Sequence, residues 1–233
     1  MPLPRPLVSS LILTLLLLAP GLALANDAEY GSYSGTPMPI KNDSVRMVSE
    51  NIIFTESDKG TWRVDATYVF ENTTAEKVEL KMGYPEAKGD DAGLNFKGIK
   101  TWVDGKQVKL EEGQSGEMKE SPSLKKLRLG KVFLFDVAFA PSQTLEVKHT
   151  FEMDGGGSVA LACEKEISYI TRTGKLWKGP IGKARFEVNL IGAFDAYTVS
   201  DGYDVESITH EVIRKGDRSR TKVVFEREKW TPK

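Results

Sequence analysis

Apolar residues recur at every second position in four segments of the first two thirds of the chain, with Val69 as an apolar exception in the first of them. The segments cover residues 62–71, 78–84, 131–140 and 145–152. A repeat of two residues is that of a β-strand with one buried face. We therefore predict four half-buried strands. We interpret the first two as an antiparallel hairpin joined by the polar residues 72–77, and the last two as a second hairpin turning at Pro141.

Shorter apolar runs, bounded by turn residues, extend the same pattern along the chain. Asp104 and Gly105 tolerate the positive φ angles of a tight hairpin turn, and Pro85 is expected to end its strand. Ser158 to Glu166 has a helix-compatible composition and predicts one short helix. Further strands are predicted at residues 45–55, 94–103, 167–172, 183–191, 196–199, 205–213 and 220–227.

Three consecutive glycines, at residues 155–157, suggest a boundary because they neither pack nor favour a strand. We predict an extended N-terminal leader at residues 26–44, a β-sandwich domain at 45–154 and a second β-rich unit at 155–233. The predicted fold class is mostly β, an antiparallel β-sandwich followed by a smaller β-rich unit with at most one short helix.

The first 25 residues have the pattern of a secretory signal peptide. Arg5 precedes an apolar stretch that breaks at Pro20, and the small residues Ala23 and Ala25 follow. The apolar stretch is shorter than the roughly 20 residues of a membrane-spanning helix. We expect cleavage before Asn26, a periplasmic or secreted mature protein, and no membrane span after cleavage.

Charge and cysteine content narrow the function classes. The chain has 32 basic and 33 acidic side chains, and removal of Arg5 with the signal leaves 31 basic ones. A nearly neutral chain argues against nucleic acid as a partner, since such proteins carry a concentrated basic face. Cys163 is the only cysteine, so the chain has no internal disulfide. We interpret Cys163 as a buried apolar residue, with intermolecular pairing or a reactive thiol as alternatives.

The two histidines are the main candidates for proton chemistry. His149 is in phase with Val147 and Phe151, and His210 is in phase with Val212. These positions favour structural histidines that point to the core or to a domain seam. The alternative is a hydrolase in which a histidine lies beside Cys163, a serine or a carboxylate in a cleft. The sequence shows no clustered metal ligands and no cofactor motif, so we predict neither a metal site nor a cofactor.

The loop from Thr171 to Gly182 combines glycines, a proline and a tryptophan between two predicted strands. One interpretation is a recognition loop in which Trp177 stacks on a sugar ring or enters a partner. The other is that Trp177 fills the seam between the two halves of the chain while the glycines permit close backbone approach. The candidate residues of the loop are Arg172, Thr173, Gly174, Lys175, Trp177, Lys178, Gly179 and Pro180.

Several short motifs, in order along the chain, resemble a family of secreted bacterial proteins, Domain of Unknown Function 4424. They are residues 68–73 with Tyr84-Pro85, residues 139–141, residues 147–151 with Gly155-Gly156, residues 173–182, and the closing residues 230–232. The resemblance implies an exported, β-rich protein of a Gram-negative bacterium and brings no established activity. Residues 45–151 also resemble a vault-type interaction domain.

The sequence thus predicts an exported, non-enzymatic protein that binds or scaffolds an envelope protein. A glycan is the alternative partner, recognised by Trp177 with Trp62 or Trp102, and a hydrolase is the alternative activity. The oligomeric state does not follow from the sequence.

Overall fold

The computed structural model describes residues 27–33, 36–57, 60–87, 96–115, 129–154, 156–158, 164–166, 171–194, 208–215 and 218–232. Strands dominate, and one 3₁₀ turn lies at Arg172–Leu176. None of the described helical residues forms a helix suited to crossing a membrane. The strands are β1 Ala28–Tyr33, β2 Thr36–Ile40, β3 Val45–Glu56, β4 Thr61–Asn72, β5 Val78–Ala87, β6 Lys97–Val103, β7 Lys106–Val108, β8 Glu111–Gln114, β9 Leu129–Phe139, β10 Thr144–Asp154, β11 Gly156–Ser158, β12 Glu164–Glu166, β13 Ile181–Ile191, β14 Ile208–Lys215 and β15 Arg218–Trp230.

Two sheets face each other across one hydrophobic core. The large sheet has eight strands in the order β14-β15-β13-β3-β4-β10-β6-β7, and the small sheet has five in the order β2-β1-β5-β9-β8. The alternating segments bury their apolar faces as predicted. Tyr68 and Val147 of the large sheet join Met82 and Phe135 of the small sheet in the same buried cluster. The predicted mostly-β fold is therefore confirmed.

The two predicted hairpins are wrong, because each of them is an arch that passes from one sheet to the other. β4 and β10 lie in the large sheet, whereas β5 and β9 lie in the small sheet. The pairs that form are β4 with β10 and β5 with β9, both antiparallel. Alternation identifies the buried face of a strand, and that face is the same whether two successive strands pair or face each other across a core.

Asn72 holds the two arches together at their loops. Its buried side-chain amide donates hydrogen bonds to the carbonyl oxygens of Glu76 and Ala140, at 2.7 and 2.9 Å. Its Oδ1 accepts hydrogen bonds from the backbone amide and the hydroxyl of Thr74. Its own backbone amide donates to the carbonyl of Gln143 at 2.9 Å. One buried side chain thus satisfies backbone groups of both loops.

The strand-end predictions have mixed outcomes. Asp104 and Gly105 have φ angles of 46° and 76° and connect β6 to β7 as a tight hairpin, as predicted. Pro85 does not end its strand, since β5 continues to Ala87. β1 pairs with β5 only at Gly83 and Met82, so Pro85 needs no amide hydrogen on that side.

The large sheet continues across the boundary predicted at residues 154 and 155. β13 pairs with β3 in parallel from Lys183 opposite Ser49 to Asn189 opposite Thr55. Gly182 lies beside a bulge of β3, where an added Cβ would be 2.4 Å from the carbonyl oxygen of Val48. Residues after the boundary therefore complete a sheet that residues before it begin, and they add one parallel pair to an otherwise antiparallel sandwich.

The short helix predicted at Ser158 to Glu166 is wrong in the described part of that segment. Its two ends lie in β11 and β12, which pair antiparallel with Ser158 opposite Glu164. Helix-forming composition is a weak signal, and pairing with a neighbouring strand overrides it here. The strand predicted at residues 167–172 is wrong at its described end, because Arg172 begins the 3₁₀ turn. Residues 167–170 of that strand, and the strand predicted at 196–199, fall outside the described residues.

Candidate functional site

A buried hydrogen-bonded chain of Asp27, His149 and Thr101 lies between the sheets. The Nε2 atom of His149 is 2.9 Å from Oδ2 of Asp27, and its Nδ1 atom is 2.8 Å from the Thr101 hydroxyl. All three residues have an exposed fraction of 0%. Asp27 comes from the N-terminal leader, and the other two come from adjacent strands of the large sheet. The chain therefore joins the leader to the centre of the sandwich.

Aromatic rings enclose the imidazole of His149. The ring of Tyr84 stacks on it with a centroid distance of 4.4 Å, and those of Tyr68 and Phe135 approach edge-on at 5.8 and 5.7 Å. The position predicted for His149 was core or seam, and the structure places it in the core. Its hydrogen bonds go to two side chains instead of the backbone carbonyl that such a residue commonly finds.

Burial is the largest influence on the Asp27 carboxyl and raises its pKa above the ordinary value. The charge of His149 and its hydrogen bond lower the pKa and so oppose this effect. A carboxylate only accepts hydrogen bonds, so the Nε2 atom of His149 donates to it when Asp27 is ionised. Thr101 can donate to Nδ1 of a neutral ring or accept from a charged one, so it bonds to His149 in either state.

An acid, an imidazole and a hydroxyl in a row are the components of a nucleophilic triad. Catalysis by these groups requires a substrate to reach them, and no atom of Asp27, His149 or Thr101 is accessible to solvent. In the structure, the three groups hydrogen-bond to one another and connect the N-terminal segment to the large sheet. We call this chain the leader anchor.

Trp177 also contacts Asp27, through the backbone of that residue. Its indole Nε1 donates to the backbone carbonyl oxygen of Asp27 at 3.1 Å, and its ring lies 4.7 Å from that of Phe70. Only 2% of the residue is exposed. This burial contradicts the interpretation of Trp177 as a platform for sugar, because neither ring face is free. Trp62 is equally buried, while Trp102 is half-buried.

Backbone hydrogen bonds attach the Trp177 loop to the start of β3. The amide of Lys178 donates to the carbonyl of Val45, and the amide of Asn42 donates to the carbonyl of Leu176, at 2.9 and 2.8 Å. The exposed ammonium group of Lys178 reaches the hydroxyl of Thr73 at 2.8 Å. The loop thus joins the later part of the chain to the first β-arch.

The other candidate residues of the loop do not converge on one site. Thr173 and Gly174 are buried, Lys175 is half-buried, and Gly179 and Pro180 are exposed. Gly179 has a φ of 70°, a conformation that favours glycine. The backbone of Arg172 begins the 3₁₀ turn, and its side chain is outside the described part of the structure.

His210 is separate from the leader anchor. It lies on β14, where its Nε2 donates to the carbonyl oxygen of Phe194 at 2.7 Å. Cys163 falls outside the described residues, so its suggested pairing with His149 stays a prediction. No group of three or more potential metal ligands occurs among the residues that the structure describes.

Charged residues on the outward faces of both sheets form ion pairs. Glu187 accepts hydrogen bonds from Arg185 and Asn189, and Lys222 lies 3.2 Å from its carboxylate. On the small sheet, Lys81 lies 3.1 Å from Glu111 and 3.3 Å from Asp136. Lys81 and Asp136 line a shallow depression with a volume of about 490 Å³. It is open, and the charges on its wall are already paired.

Sequence reasoning missed Asp27, Thr101 and the clamping role of Asn72. Asp27 lies in a segment without periodicity, and its partner His149 is 122 positions away. The available signal was His149 itself, since a histidine in phase with apolar residues needs buried partners for both ring nitrogens. Thr101 could also have been identified as a candidate partner, because it lies on the inward face of a predicted strand.

The comparisons with solved structures identify the fold type. A crystal structure of a Legionella pneumophila protein to which nutrient binding has been ascribed superimposes with a TM-score of 0.63 at 18% identity. The match covers 91% of this chain and 70% of that one. At this identity the likeness shows a shared fold.

Matches to zinc peptidases are much weaker. The M1 zinc metallopeptidase of Deinococcus radiodurans matches with a TM-score of 0.38 at 10% identity, over 83% of this chain and 41% of that one. This likeness shows neither a shared fold nor a shared activity. No curated protein matches the sequence.

A family model matches residues 25–157, which include the leader anchor and both β-arches and end before the Trp177 loop. These residues make up more than half of the chain. The protein therefore belongs to the family described as Domain of unknown function (DUF4424).

Proposed function

We propose that the protein is an exported, non-enzymatic binding or scaffolding protein of the bacterial cell envelope. The signal-like N-terminus supports export, because residues 1–25 have the charge, apolar stretch and small residues of a cleaved signal. An exported protein would then bind its partner in the cell envelope.

The observation that carries the non-enzymatic part is the position of His149. Its ring nitrogens are both engaged, by Asp27 and Thr101, and its exposed fraction is 0%. A general base needs to be within hydrogen-bond reach of its substrate. His149, the described residue best suited to act as a general base, is therefore out of reach of a substrate in this structure.

A binding role is supported by the fold. The Legionella protein, which has a similar fold, has had nutrient binding ascribed to it. The outward face of the large sheet offers a broad polar surface on β4 and β10, with exposed Arg63 and Glu146. Trp102 adds a half-buried indole beside Lys148 in the register of β6 and β10. We propose this outward face as the binding surface.

Site-specific crosslinking tests this proposal. A photoreactive side chain is introduced in place of Arg63 or Glu146, and in place of Glu79 on the small sheet as the matched control. Each variant of the mature protein is irradiated in an envelope extract. We expect one saturable adduct from the first two positions, competed by unlabelled mature protein, and none from Glu79.

The absence of a saturable adduct at all three positions would contradict the binding proposal. An adduct at Glu79 alone would show that the binding surface is on the small sheet. Hydrolytic turnover by the mature protein that disappears in His149→Phe, while the variant remains folded, would refute the non-enzymatic part.

A further inference from the structure

β14 forms one edge of the large sheet. In the part of the chain that the structure describes, it pairs with β15 and with no other strand. The amides and carbonyls on its other side are a template for a further strand. Proteins commonly protect such an edge with charged side chains or with proline. β14 has no proline, and its charged residues Glu211, Arg214 and Lys215 have both signs, so a strand with the complementary pattern can pair with them.

Ile213 lies on this edge, two positions before β14 ends at Lys215, and 46% of its surface is exposed. Among the described residues, it is the one large hydrophobic side chain that is exposed. Glu211 shares its face, two positions away. Glu211 lies opposite Lys222 in the pair of β14 and β15, and the ammonium group of Lys222 is bound to Glu187. Glu211 makes no ion pair with any described residue.

We propose that β14 pairs antiparallel with β14 of a second copy of this chain, across a two-fold axis at Ile213. A two-fold axis perpendicular to the sheet leaves each residue on the same face of the sheet in both copies. Because directly opposite residues of an antiparallel pair share a face, the sequence numbers of the two residues in each pair must differ by an even number. With the axis at residue 213, Ile213 meets Ile213 of the second copy. Glu211 takes the position opposite Lys215, and symmetry forms this pair twice.

The neighbouring registers lack this complementarity. An axis at Val212 places Glu211 opposite Ile213, and an axis at Arg214 places two arginines opposite each other. Like charges in directly opposite positions destabilise a strand pair, whereas opposite charges and apolar pairs stabilise it. The charge pattern of β14 therefore selects the second copy as the occupant and Ile213 as the centre. This inference is independent of the proposed function.

Analytical ultracentrifugation of the mature chain, residues 26–233, tests the pairing. We expect a monomer–dimer equilibrium with a dissociation constant of roughly micromolar order, as befits a small interface, and weaker association at high salt. Ile213→Glu places two carboxylates at the axis and is expected to abolish the dimer. Ile213 and Glu211 are exposed, so these substitutions leave the core intact.

Charge exchange tests the register. Glu211→Lys and Lys215→Glu each create like-charge pairs and are expected to weaken the dimer at least tenfold, whereas the double variant is expected to restore it. Lys106→Glu, on β7 at the opposite edge of the sheet, is the matched control and is expected to leave it unchanged. A wild-type protein that stays monomeric to several hundred micromolar would overturn the proposal. A dimer unaffected by Ile213→Glu, or dissociated by Lys106→Glu, would do the same.

Discussion

At the scale of single residues, the leader anchor shows how a buried acid can be structural. Asp27 and His149 would each be costly to bury alone. Their mutual hydrogen bond and the bond from His149 to Thr101 satisfy three of the four polar side-chain atoms of the pair. Oδ1 of Asp27 is buried without a hydrogen-bond partner, which is consistent with the raised pKa of its carboxyl. The phase of His149 was visible in the sequence. Its acidic partner was not, because sequence distance carries no information about contacts between sheets.

Glu187 gives a pH-dependence that can be measured. Burial alone would raise its pKa, but hydrogen bonds from Arg185, Asn189 and Lys222 lower it from 4.5 to about 2. The folded state therefore binds this proton less tightly than the unfolded state, and the stabilisation is present above pH 4.5 and lost as the pH falls towards 2. It amounts to no more than roughly 3 kcal/mol at neutral pH, and screening by solvent reduces it further.

We expect Glu187→Gln to lower the free energy of unfolding at pH 7 and to flatten its decline between pH 4.5 and pH 2. Urea unfolding at several pH values measures both effects. Glu79→Gln, on an exposed position of the small sheet, is the control. The account of Glu187 fails if the two variants have the same acid dependence as the wild type.

At the scale of secondary structure, the alternating pattern predicts each strand's buried face and leaves its partner undecided. β4 and β5 were expected to pair through their short polar connection, and instead they face each other across the core. Asn72 makes this possible, because its side chain replaces the hydrogen bonds that a hairpin turn would have supplied. Its sequence context, a polar loop between two strands, does not distinguish the two outcomes.

Asn72→Ala should therefore loosen both arches. The substitution leaves the carbonyls of Glu76 and Ala140 and the amide of Thr74 without this partner. We expect a loss of about 3 kcal/mol in the free energy of unfolding, since each buried polar group left unsatisfied costs about 1–3 kcal/mol. Thermal and urea unfolding measure it, with Glu76→Ala as the control because that side chain is exposed. Equal stability of the two variants would show that Asn72 is not a clamp.

Gly182 has a comparable role at the junction of β13 and β3. A Cβ at this position would be 2.4 Å from a backbone oxygen, which cannot move as a flexible side chain can. We expect Gly182→Ala to destabilise the protein by about 2 kcal/mol or more. Pro180→Ala, an exposed change in the same loop, serves as the control. Unfolding free energies that match for the two variants would contradict the close approach.

At the scale of the whole molecule, the large sheet joins the two parts that the glycines at residues 155–157 suggested to be separate units. Phe186 of β13 lies in the same buried cluster as Phe54 of β3. The parallel pairing of these strands could not be predicted, because a long connection gives the chain freedom to return on either sheet. Composition drew attention to the glycines but carried no information about the strand pairing beyond them.

A fragment of residues 26–158 tests whether the first part folds alone. It retains residues 26–157 of the region matched by the family model and lacks β13, so the paired edge of β3 and the cover of Phe54 are lost. We expect the fragment to be less resistant to limited proteolysis than the mature chain and to unfold at lower urea concentration. An equal urea midpoint for the fragment and the whole chain would establish two independent folding units.

The central claim is that Asp27 and His149 form a structural pair that anchors the N-terminal leader, and a double-mutant cycle of urea unfolding tests it most directly. The variants are Asp27→Ala, His149→Phe and their combination. Each single change leaves a buried polar group unpaired and is expected to cost about 2–4 kcal/mol. The double variant is expected to cost less than the sum by at least 1 kcal/mol, roughly the lower range of coupling for residues in contact. Additive effects, or an Asp27→Ala variant as stable as the wild type, would contradict the account.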